Sequence, residues 1–265
     1  MIMIRYLFSD FARAIRSKGA KAYFIGTAAL ILIANIAVIC FRIIYGSNEG
    51  TFAYNVFEYA SWCFLIPYYS CILIGMIAFG PQYVRPRKRG MTLGCGDVKH
   101  RFSPALFYME KLVLAILCAA VFLVAAFVML YVITLLFHIN EGMIGWPIVK
   151  NFLNKACLSL PLWFAGISFA IMFLFIFEKK WKAVLGFAVV TVVIPQIIRI
   201  FSLDNFKLEF FRTIRRYTIT QSFGLVPYPS YPDRSVPLIV TLGFVYGILA
   251  VVIGMIVYGK KAVEE

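Results

Sequence analysis

Carboxylates are scarce in this chain, and where they are missing is informative. Against 26 Lys and Arg there are 12 Asp and Glu. None of the twelve falls inside six apolar segments, near residues 23–45, 60–83, 112–137, 157–177, 183–201 and 237–258. Intramembrane Asp and Glu usually carry proton or cation coupling, so this pattern argues against a chain driven by an ion gradient. Only two histidines exist, His100 in a basic stretch and His138 at a segment boundary, and neither has metal-ligand spacing. Cys40, Cys63, Cys71, Cys95, Cys118 and Cys157 are scattered, with no CxxC or Cys/His cluster. They read as small hydrophobes rather than a zinc or redox site. No GxSxG or HExxH motif occurs, so no catalytic residue, metal site or resident cofactor is expected. Gly254 to Lys261 imitates a phosphate loop, but Lys261 stands where Ser or Thr should bind magnesium.

What is present is hydrocarbon-like sequence. The chain is 62% hydrophobic and 14% charged, which excludes a soluble globular class. Each apolar segment is near or above the roughly 20 residues that cross a bilayer as a helix. The expected fold is an all-α membrane protein with six transmembrane helices, residues 1–265 forming one membrane domain. The charged, amphipathic start and the length of the first apolar run argue against a cleaved signal peptide.

The net charge of +14 invites a nucleic-acid reading, but its distribution decides otherwise. With the N-terminus inside, segments 1–22, 84–111, 178–182 and 259–265 hold 17 Lys and Arg, and the outer positions hold nine. Six of those nine lie between Arg199 and Arg234, while Gly46 to Ala60 has none and carries Glu49 and Glu58. The positive-inside rule therefore puts both termini in the cytoplasm, with no nucleic-acid partner.

Residues 1–22 carry Ile4, Leu7, Phe8, Phe11, Ala14 and Ile15 at helical spacing, with Arg5, Asp10, Arg13, Arg16 and Lys18 opposite. That describes an interfacial elbow helix, anchored on anionic lipid or also touching a cytoplasmic partner. The inner loop 84–111 runs through Arg87, Lys88, Arg89, Gly90, Met91, Thr92 and Leu93 to a glycine pair, then Ser103-Pro104, Tyr108 and Lys111. A short helix over Arg87–Leu93 could project as a docking element. Outside, 202–236 places Leu203, Phe206, Phe210, Ile214 and Tyr217 on one helical face and Lys207, Arg212, Arg215 and Arg216 mostly on the other. This predicts a second interfacial helix, either bound to outer-leaflet anionic lipid or capping an exit path. Within the segments, Asn35 sits midway in the first, Pro67, Tyr68 and Tyr69 interrupt the second, and Pro195, Gln196 and Arg199 lie late in the fifth. Arg42 and Arg199 are expected to snorkel outward. Gly243 and Gly247 form a GxxxG pair suited to close helix packing.

The elbow, six spans, a docking-type loop after span two and a long outer segment before span six resemble the type-2 permease family of ABC transporters. The best local piece is Arg89-Gly90-Met91-Thr92-Leu93 with Ser103-Pro104 and Lys111, similar to that family's basic-Gly-Thr-Leu coupling segment and its Ser…Lys lead-in to span three. The family's glutamate before this stretch is missing, with Arg85, Arg87 and Lys88 in its place.

The resemblance implies two permeases, identical or paralogous, with two copies of a separate ATPase subunit that binds ATP and magnesium. Arg87–Leu93 would couple to that ATPase. Spans two and five would line the path, drawing in Phe64, Tyr68, Tyr69, Pro195, Gln196 and Arg199, with Phe206, Phe210, Arg212, Arg215 and Arg216 as the outer cap. The aromatic content suits hydrophobic or amphipathic peptide cargo. Half-size permeases of this kind look like exporters of toxins or antimicrobial peptides in bacterial, Gram-positive plasma membranes. The alternative is a non-transporting sensor or scaffold with a basic extracellular ligand loop. A secondary transporter is a third reading, disfavoured by the missing acids and the missing inverted repeat.

Overall fold

A computed structural model describes residues 2–45, 51–80, 103–137, 144–177, 179–203, 208–227 and 235–264. These residues are almost wholly helical, with no strand among them. The helices are α1 (Ile2–Ile15), α2 (Lys18–Tyr45), α3 (Phe52–Trp62), α4 (Leu65–Phe79), α5 (Pro104–Phe137), α6 (Trp146–Ile176), α7 (Lys180–Ala188), α8 (Ile194–Phe201), α9 (Glu209–Arg216), α10 (Ile219–Leu225) and α11 (Ser235–Glu264). A π-helical turn, Val189–Val193, joins α7 to α8. Five helical stretches are long and apolar enough to cross a membrane, or six if the bent pair α3–α4 counts as one. The chain is a multi-pass, all-helical membrane protein.

The second span departs most from expectation. It is broken by 59° between α3 and α4, at Cys63–Phe64 rather than at Pro67. Pro67 falls in the first turn of α4, where backbone N–H groups have no intrahelical acceptor, so its missing donor costs little. The break also lengthens the element: α3 starts at Phe52 and carries Glu58. Likewise α5 begins eight residues before the expected segment and includes Glu110 and Lys111. With Glu264 at the end of α11, the long helices thus hold three acids towards their ends, although the apolar segments themselves hold none.

Helix α6 is the centre of the bundle, its apolar window 72% buried against only 11% for α2 and for the α7–α8 span. Small residues permit its close neighbours. A Cβ built at Gly243 would lie 2.5 Å from the carbonyl carbon of Pro161, and one at Gly247 would collide with the Phe164 ring. The GxxxG pair therefore seats α11 on α6. On the other side, Gly166 of α6 admits Tyr68, and Gly75 of α4 admits Leu174.

Two apolar cores stack along the bundle. One, at the end carrying α1, joins Ala14, Phe79, Tyr108, Phe122 and Phe175. The other, towards the opposite end, joins Phe57, Phe152, Trp163 and Phe223. The segment after α8 contributes to the second core in a way the single interfacial helix did not anticipate. It folds as two short helices, and the buried one is α10, through Ile219, Ser222 and Phe223. Phe223 meets the Tyr68 ring at 5.4 Å, and Tyr246 of α11 donates a hydrogen bond to the Tyr217 carbonyl at 3.0 Å. Tyr68 lies about 16 Å from the α1-side end of its own helix, by the 1.5 Å rise per residue. Helix α10 therefore re-enters the bundle instead of lying across its surface.

Candidate functional site: the joint beneath residues 81–102

Residues 81–102, with the expected coupling segment, lie outside the described residues; the chain leaves α4 at Gly80 and is described again from Ser103. Gly80 has φ +64°, a left-handed conformation that side-chain-bearing residues rarely adopt, and it stops α4 there. Both loop ends rest on one aromatic cluster. Phe79 packs against Phe175 at 4.9 Å, Tyr108 against Phe175 at 4.7 Å, and Tyr258 against Phe175 at 4.6 Å. The loop's two anchor points thus share one residue of α6, with α11 alongside.

A buried ionic group adjoins this cluster. The Lys111 ammonium donates to the Asp10 carboxylate at 2.7 Å and to Glu110 at 3.4 Å, and lies 5.5 Å from the Phe107 ring centre. Lys111 is 2% exposed and Glu110 7%. Asp10 also pairs with Arg13 at 3.1 Å. The amphipathic α1 is therefore fastened to α5 by a lysine that unpaired would be very costly to bury. Leu7, Phe11 and Ile15 of α1 pack on the adjoining core.

At the far end Lys155 of α6 donates to Glu58 of α3 at 2.7 Å, and the Ser61 hydroxyl donates to the Glu58 carbonyl. Sequence reading missed both lysine–acid groups because it placed Glu58 and Glu110 in loops and Asp10 on the solvated face of the elbow helix. The usable signal was Asp10, the one acid on a basic helix. For α10 the signal was Ile219, Phe223 and Val226 at i, i+4, i+7 spacing.

The sequence-derived path residues divide. Phe64 and Tyr68 are buried within the chain, the former packed on Phe152 and Trp163, whose indole N–H donates to the Phe64 carbonyl at 3.0 Å. Tyr69 is half-buried and lines an open lateral groove. Pro195 is half-buried, and Gln196 and Arg199 are exposed on α8. The two sets are not brought together into one lining within the chain. Of the cap residues, Phe210, Arg212 and Arg216 are exposed on α9. Arg215 turns inward, donating to Gln221 and to Ser202. Phe206 and all of Arg87–Leu93 lie outside the described residues, as do Cys95, His100 and His138. Among the described residues no group of His, Cys, Asp and Glu could hold a metal ion.

No protein-family model matches the chain, and no curated protein matches it either.

Proposed function

We propose that this chain is the membrane permease subunit of an ATP-driven exporter, working with a separate ATPase and moving hydrophobic or amphipathic peptides out of a bacterial cell. In this reading both termini and the 81–102 loop face the cytoplasm. The observation that carries it is the seating of both loop ends on the Phe175 cluster, beside the Lys111–Asp10 tie. A force applied at Gly80 or Ser103 reaches α4, α5 and α6 through these ring contacts. A mere topology signal needs no such seat. The lack of acids midway along any long helix supports an external energy source.

The test is co-purification from native membranes followed by reconstitution. Tagged protein should carry an ATPase in stoichiometric amount, and peptide efflux from vesicles should require ATP. Protein recovered alone, with efflux indifferent to ATP, would overturn the reading. The exposed aromatic and basic face of α9 favours the second reading, a membrane sensor with an extracellular ligand. Stable association with a histidine kinase, and no ATPase, would select it.

A further inference from the structure

Helix α2 packs on α5 through Tyr23 and Phe24 against Phe122, and beside that contact runs a groove of about 1830 Å³ walled by α2, α3, α4, α5 and α6. It runs along α2 from Ser17 to Phe41. At 1.5 Å per residue that is about 36 Å, close to a full bilayer. Its walls are chemically uniform. Leu30, Leu73, Ile116, Ala119 and Trp163 typify them, and among the described lining residues Lys180 alone is charged. No carboxylate is among the described lining residues.

Apart from the Tyr59 and Tyr69 hydroxyls, the charged and hydroxyl groups of the described wall gather towards the α1 end. Ser17, Gly19, Gly80 and Lys180 form that rim, and Lys18 and Lys21 are exposed on the adjoining first turn of α2. Asp10 and Glu110, carboxylates at this end, are both held by Lys111. About 8 Å further along α2, by helical rise, the Tyr23 hydroxyl and the Ser70 hydroxyl are hydrogen-bonded at 3.0 Å on the groove wall. Beyond Thr27 the described wall is almost wholly hydrocarbon and aromatic. A cationic rim, a hydroxyl step and then an apolar trough is the order of phosphate, glycerol ester and acyl chain in a phospholipid.

We infer that the groove between α2 and the α4–α6 wall is a binding site for an anionic phospholipid, its acyl chains in the trough and its phosphate at the Lys180 rim. The inference goes beyond the proposed transport function and needs only that the bundle sits in a bilayer. It also accounts for the slight burial of α2, because an intercalated lipid replaces direct helix contact without leaving a void. A peptide cargo or a second copy of the chain would fill the trough too, but neither demands a cationic rim at one end only.

Trp163 supplies a direct readout, because it lines the groove yet is only 5% exposed. The full chain carrying Trp62→Phe, Trp146→Phe and Trp181→Phe keeps Trp163 as its sole tryptophan. It is reconstituted in vesicles whose phosphatidylglycerol or phosphatidylcholine is brominated at mid-chain. Brominated phosphatidylglycerol should quench Trp163 and be preferred over the phosphatidylcholine form by about fivefold, the factor of one basic residue near a lipid surface. Lys180→Gln should remove most of that preference. Unquenched Trp163 would mean that protein closes the groove, and equal quenching by both lipids would mean that the rim does not select a headgroup. Either result overturns the inference. Native mass spectrometry of the unaltered chain gives an independent check: phosphatidylglycerol should survive detergent exchange, and a lipid-free spectrum counts against the site.

Discussion

Lys111 and Asp10 are 101 positions apart in sequence and 2.7 Å apart in space, joining an amphipathic N-terminal helix to the third long apolar one. Removing the lysine leaves Glu110 without its cation and Asp10 with Arg13 alone. Lys111→Met is therefore expected to destabilise the bundle by about 3–5 kcal/mol, the usual penalty for breaking a buried pair from one side. Asp10→Asn should cost less, because Glu110 still faces the ammonium. Unfolding in mixed micelles should show a coupling energy between the two sites of about 0.5–3 kcal/mol in a double-mutant cycle. Additive effects would mean that the contact contributes nothing.

The α6–α11 seam depends on missing side chains. Gly247→Leu must push against Phe164 and Gly243→Leu against the Pro161 backbone, where overpacking costs about 1–3 kcal/mol or more. Gly259→Ala meets nothing within 4 Å and should leave the thermal transition unchanged. Comparing the three melting curves in one detergent tests the seam.

Re-entry of α10 makes Phe223 a core residue. Phe223→Ala should cost about 3–5 kcal/mol through the lost ring and the cavity against Tyr68. Phe210→Ala on α9, where the ring is 70% exposed, should stay within about 0.5 kcal/mol. Equal effects at both positions would argue that the two short helices lie together on the surface.

The proposed coupling role predicts a separation of activities. Gly90→Pro, or reversal of charge at Arg87, Lys88 and Arg89, should leave ATP hydrolysis by the partner running while peptide efflux falls. Parallel measurement of phosphate release and efflux in the same vesicles checks this, and unchanged efflux removes the docking role.

Helix existence and class were legible because a run of twenty or more apolar residues has few alternatives to a helix in hydrocarbon. The ends were not. Glu110-Lys111 and Glu58 look like loop chemistry until a distant partner, Asp10 or Lys155, makes their burial tolerable, and no local pattern announces a contact 97 or 101 residues away. The GxxxG pair was readable as a packing face, but its partner, the Pro161 turn of α6, was not. The substrate-path residues were chosen from polarity and aromaticity, and neither property reports which side of a helix meets its own chain. Phe64 and Tyr68 do, while Gln196 and Arg199 do not.

The π-helical turn at Val189–Val193 sits just before Pro195, whose ring would otherwise press on the carbonyl of Thr191. One surplus residue in a single coil offsets the azimuth of everything downstream by about 100°. A wheel diagram drawn straight through 180–201 thus assigns Gln196 and Arg199 the wrong compass bearing. Excising one valine there would close the turn into an ordinary α-helix and leave both side chains at their present bearing and height, so the outward aim of Arg199 would survive a deletion that the wheel counts as a swing of about 100°.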